Sequence, residues 1–245
     1  MNHWIIEAEV IACMIIGLIL YFSRERLLAR TIQTRIYRSS LYFALFSIML
    51  NIASVKLLES PVKSLYWVMY LTSVLYYVLL CLLQTALLIY LLYLMQVKRH
   101  TFVLVSIISS VVVLVVMAIA ATNQNTGVLF TILEDGTFLR GPANCINYLI
   151  LALYALIIVL CYFTRRHVVP RNMRGVLLFL PAMALAMGAV QYWFPDLLMS
   201  GLTVAMVLLV LFLRFQSRGI RTDSLTGLCG REGFFESADV LFKRG

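Results

Sequence analysis

Seven long apolar blocks restrict this chain to very few folds. They span residues 5–22, 41–58, 65–95, 102–121, 146–163, 176–194 and 197–215. Most approach the ~20 residues that cross a hydrocarbon core at ~1.5 Å per residue. Where lipid replaces water, each backbone N–H and C=O needs a partner within the protein, and a helix supplies one for every group. The third block, 65–95, is too short for two spans and a turn, so it predicts one tilted or projecting helix. Hydrophobic residues make up 62% of the chain and charged residues 13%, against about 25% charged in soluble domains. The expected fold is an all-α membrane protein, a bundle of seven transmembrane helices.

The net charge of +9 raises nucleic acid as a partner, but the placement of the charge argues otherwise. Seventeen of the twenty Lys and Arg fall in alternate connections, at the end of the last block or in the tail, leaving Lys56, Lys63 and Arg140 on the other side. This is the positive-inside pattern. It predicts an outer N-terminus and a cytoplasmic C-terminus, with some attraction to anionic lipid heads. No nucleic-acid partner is expected.

Several other classes fall away. No Lys or Arg precedes the first block, Glu7 and Glu9 stand near its start, and no small-residue cleavage site follows it. The block therefore reads as a retained helix rather than a signal peptide. Glu7 and Glu9 themselves are expected to be solvated charges at the outer boundary. A retinal pigment needs a Schiff-base lysine in its last span, and block 197–215 has no Lys. Scarce midplane charge and the lack of an internal repeat weigh against an ion-coupled transporter. The five cysteines show no disulfide or zinc spacing, His3, His100 and His167 stand alone, and no metal site is expected.

Between blocks four and five, residues 128–133 and 137–139 are rich in β-formers and flank Asp135-Gly136. An Asp-Gly pair in that setting predicts a small β-hairpin in the outer loop. It reads either as a simple cover or as a lid over the bundle mouth. Four amides, Asn51, Gln84, Asn147 and Gln191, lie within blocks two, three, five and six. An amide in hydrocarbon needs a partner, so each is expected to face another helix, water or a ligand, with inter-helix bonding and a shared ligand pocket as the two readings. Pro181 in block six predicts a kink.

After block seven, Phe234, Phe235, Ala238, Leu241 and Phe242 recur at helical spacing. Glu232 and Glu236 sit early and Lys243 and Arg244 late, which suits the helix dipole. So short an apolar face cannot supply its own core, and the tail is expected to open a domain it does not complete. Asp223-x-Leu225-Thr226-Gly227-Leu228-x-x-Arg231-x-x-Phe234 resembles the opening motif of GGDEF domains, the catalytic units of diguanylate cyclases. The resemblance covers about a tenth of the chain. It departs from the family at Gly230, where Asn is usual, a change worth a few tenths of a kcal/mol at a helix cap.

The resemblance implies a domain division: a sensor bundle over 1–216, a signalling linker over 217–222, and the start of a GGDEF domain over 223–245. It also implies a homodimer, a location in the bacterial inner membrane, and a small-molecule or envelope signal. The complete parent would condense two GTP into cyclic di-GMP. Within these 245 residues there is neither the Gly-Gly-(Asp/Glu)-Glu-Phe signature nor a set of carboxylates for Mg²⁺. Catalysis is therefore not expected of this chain, and Mg²⁺ is expected only in a complete domain. The alternative is a membrane permease or structural bundle with no link to a cyclase.

Overall fold

The structure, a computed structural model, describes residues 5–26, 32–59, 66–133, 137–169 and 171–219. The Asp135-Gly136 turn, the tail helix and the motif residues Asp223, Leu225, Thr226, Gly227, Leu228, Arg231 and Phe234 lie outside the described residues. Along the chain run α1 (Glu7–Arg26), α2 (Ile32–Glu59), α3 (Tyr66–Leu94), α4 (Arg99–Thr126), β1 (Phe130–Ile132), β2 (Phe138–Arg140), α5 (Ile146–Arg165), α6 (Arg171–Trp193) and α7 (Ser200–Gly219).

Five helices, α2 to α6, are long and apolar enough to cross a membrane, and Ser200–Arg214 of α7 forms a shorter apolar stretch. This is the architecture of a multi-pass membrane protein. The helices outrun the apolar blocks where the flanking residues are basic: α2 opens at Ile32 and carries exposed Arg35 and Arg38 before its apolar stretch begins. Block three is one helix, as its length requires. α3 ends in a turn at Gln96, whose φ is 50°, with the Val97 N–H bonded back to the Leu92 carbonyl at 3.4 Å. That pattern caps the orphan carbonyls of a helix C-terminus.

Packing follows the helical period. On α4 the buried residues Val105, Ser109, Val113, Val116, Ala120 and Asn123 form one stripe, while Leu104, Ile107, Val111 and Leu114 are exposed. An apolar face turned outward is what a lipid-facing helix presents. α4 is both the most apolar span and the least buried. Its main neighbour is α3, which also packs on α2 and α5; α6 then joins α5 to α7, and α1 lies against α2 and α7. The result is a ring of α1, α2, α3, α5, α6 and α7, with α4 outside it. Within the ring, Tyr37 of α2 donates a hydrogen bond to the Leu208 carbonyl of α7 at 2.7 Å.

The hairpin joins α4 to α5. β1 and β2 pair antiparallel, with Phe130 opposite Arg140 and Ile132 opposite Phe138. The strands are shorter than the β-forming run because the backbone before Phe130 is committed elsewhere. The Leu129 N–H goes to the Asn123 side chain, and the Leu129 and Val128 carbonyls accept from Gly141 and Ala143. Gly127 takes φ +60° to end α4, and a Cβ on Gly141 would strike the Val128 carbonyl. Leu129, Phe130 and Ile132 then bury against Met69 and Ala120 as a second, smaller core. The hairpin thus packs against α3 and α4.

Candidate functional site

Beneath the hairpin lies a cavity of about 190 Å³. Its walls come from α2, α3, α5, α6, α7 and β2, so it sits inside the ring; α1 and α4 contribute none of the described lining. Leu80, Leu87, Leu151, Ala155, Leu180 and Val204 make much of the surface apolar, and Phe138 and Arg140 of the hairpin border it. Pro181 also lines it from mid-α6. Having no N–H, Pro181 leaves the Leu177 carbonyl without its helical donor.

The four amides of the spans converge here. Asn51, Gln84, Asn147 and Gln191, on four different helices, all line this one cavity. Their bonding differs sharply. Asn51 Nδ2 donates to Glu9 Oε1 at 3.0 Å. Gln84 Nε2 donates to the backbone carbonyl of Asn147 at 3.4 Å, a long bond. Gln84 Oε1 and both side-chain amide atoms of Asn147 are buried with no hydrogen-bond partner among the described residues. A buried polar group left bare costs about 1–3 kcal/mol. Tyr154, on the same wall, lies 3.0 Å from Thr85 Oγ1. Because the Thr85 hydroxyl donates to the Cys81 carbonyl, the shared proton is that of Tyr154.

Glu9 departs from its expected place at the solvated boundary. Glu7 is exposed, but Glu9 is 0% exposed. Two residues along a helix turn the side chain to the opposite face, and Glu9 faces α2 and α7. Its Oε1 accepts from Asn51 Nδ2, from Ser200 Oγ at 3.1 Å and from the Gly201 N–H at 3.0 Å. The last is an orphan donor of the first turn of α7, satisfied here by the Glu9 oxygen. A Cβ on Gly201 would collide with Glu9 Oε2, so only glycine lets the carboxylate seat this closely. Tyr76 Oη lies 2.6 Å from Ser200 Oγ and, with the Ser200 proton given to Glu9, is the donor. Asn51, Tyr76 and Ser200 line the cavity. The cavity wall is therefore hydrogen-bonded directly to the carboxylate that anchors α7.

Sequence reasoning did not find Glu9, Tyr76, Ser200 or Gly201 as a unit. The one signal was an acidic residue inside an apolar block. No group of His, Cys, Asp and Glu among the described residues is arranged to hold a metal ion. The chain matches no family model, no curated protein and no solved structure.

Proposed function

We propose that this chain is the signal-input module of a diguanylate cyclase. In this reading it is a seven-helix membrane sensor with its N-terminus outside, the hairpin at the outer face and α7 leading into a cytoplasmic GGDEF domain that opens at Asp223. The observation that carries the reading is the cavity, with its bare amide atoms and its hydrogen-bonded link to the start of α7. A signal molecule entering it meets Asn51, Tyr76 and Ser200, the groups that hold or contact the Glu9 anchor. Loosening or tightening that anchor shifts α7, which runs without a break from Ser200 to Gly219. The motif begins four residues later. In a homodimer such a shift changes how two output domains meet and hence the condensation of GTP into cyclic di-GMP.

Joining residues 1–222 to a complete GGDEF domain that starts at its own opening motif, and measuring cyclic di-GMP in cells, tests this. Ala184 lines the cavity and is buried, so Ala184→Phe fills the space and is expected to lock the output high or low. Equal output from the fusion and its Ala184→Phe form would refute the sensor reading. So would labelling of Cys229 only from outside intact cells. Solute flux through vesicles carrying the chain alone would point to a permease instead. Cyclic di-GMP made by the 245-residue protein itself would overturn its assignment as input only.

A further inference from the structure

Asn147 raises a chemical question that the fold alone does not answer. It is 5% exposed, stands in the first turn of α5 and borders the cavity. Its Nδ2 and Oδ1, with Gln84 Oε1 on α3, are a donor and two acceptors buried on residues that line the cavity, all without partners among the described residues. An occupant that satisfies them must itself present an acceptor beside a donor.

We propose that the cavity binds a small uncharged molecule carrying an amide edge, a carbonyl next to an N–H, which pairs with the carboxamide of Asn147. The carbonyl accepts from Asn147 Nδ2 and the N–H donates to Asn147 Oδ1, as two amides pair edge to edge. Gln84 Oε1 takes a second proton where the ligand has one. The inference deepens the sensor reading and rests on its use of the cavity as the input site.

Charge, size and wall chemistry narrow the class. Among the described residues no carboxylate lines the cavity, so a cation finds no direct counter-charge from them. Arg140 is the one charged residue among the described lining, and its guanidinium donates to the Pro195 carbonyl at 2.8 Å. Burying an ion without a dedicated partner is far costlier than burying a neutral polar group. The volume of about 190 Å³ slightly exceeds the ~150 Å³ engineered cavity that accepts benzene. One ring with one substituent fits. Tyr148, Tyr154 and Leu151 offer the ring an aromatic and apolar bed. A hydrocarbon would fill the space and leave three polar atoms bare. Water would satisfy those atoms and leave much of the apolar wall wet.

The test uses the whole protein in lipid nanodiscs and its thermal unfolding midpoint, with benzamide, ethylbenzene and benzoate as probes of similar size. Benzamide is expected to raise the midpoint saturably, at half-saturating concentrations about tenfold or more below those of the other two, the factor that ~1.4 kcal/mol of hydrogen bonding sets. Asn147→Leu should abolish that shift while raising the ligand-free midpoint, which shows that the variant is folded. If it does not fold, Gln84→Leu serves, with a weakened but measurable benzamide shift. Ethylbenzene matching benzamide would overturn the amide edge. Benzoate binding tightest would overturn the uncharged class and assign Arg140 an anion. No shift with any probe would mean a cavity filled by water, and the proposal fails. None of these results touches the sensor reading, which stands or falls on the fused cyclase and Ala184→Phe.

Discussion

Asn123 and Asn147 are the same side chain, buried near the same end of the bundle at 1% and 5% exposure, and they do opposite things. Asn123, in the last turn of α4, spends its amide on the chain. Nδ2 donates to the Phe130 carbonyl at 3.0 Å, and Oδ1 accepts from the Leu129 N–H at 2.7 Å and the Phe130 N–H at 3.4 Å. Asn147, in the first turn of α5, bonds nothing through its side chain among the described residues. The reason lies in what surrounds each. Asn123 faces irregular backbone entering the hairpin, where N–H and C=O groups have no ladder to join. Asn147 stands among helices, whose backbone groups mostly pair within each helix, and lines a cavity. Burial alone therefore does not separate a structural amide from one available to a ligand. The fate of its donors and acceptors does.

The comparison can be broken most forcefully at Asn123. Asn123→Leu strips the hairpin entry of three hydrogen bonds and leaves buried backbone groups bare, so it should destabilise by about 3 kcal/mol or more. Reversible unfolding in mixed micelles measures this; a loss below about 1 kcal/mol would mean that the hairpin entry does not depend on the amide. Glu9→Ala comes next. It removes the acceptor for Asn51, Ser200 and Gly201 and should cost about 2 kcal/mol, with Glu9→Gln recovering most of it through the retained oxygen. Equal losses in the two variants would assign the stabilisation to charge rather than to the Oε1 acceptor. The smallest effect has the opposite sign. Asn147→Leu, of similar size, relieves two bare polar atoms and should stabilise by about 1 kcal/mol. Destabilisation would show that Asn147 is internally bonded, and the contrast with Asn123 would collapse.

Much of the fold was legible from residues alone, for identifiable reasons. The blocks over 65–95 and 102–121 became α3 and α4 because long apolar runs leave a chain in lipid no other way to pair its backbone. The hairpin was legible from Asp135-Gly136 between β-formers. Its strands were misplaced by a residue or two because long-range bonds to Asn123 and Ala143 took the backbone at Val128 and Leu129. Proline at 181 announced itself inside a helix. The site was legible only in part. Asn51, Gln84, Asn147 and Gln191 could be picked out as amides in hydrocarbon. Their meeting at one cavity could not, since periodicity fixes which residues share a face of one helix and says nothing of how separate helices are rotated.

Glu9 shows the boundary between the two sources of information. Its place two residues from exposed Glu7 follows from sequence, and so does its opposite facing on α1. What decided its role were partners 42 and 192 residues away, Asn51 and Gly201, brought to it by the packing of α1 on α2 and α7. The order of helices, their apolar outer faces and the hairpin come from local rules of period and turn chemistry, and these act over a few residues. The cavity, its bare amide wall and the anchor of α7 come from the azimuth at which each helix meets its neighbours. Close-packed side chains from the whole bundle set that angle together, so no segment read alone contains it.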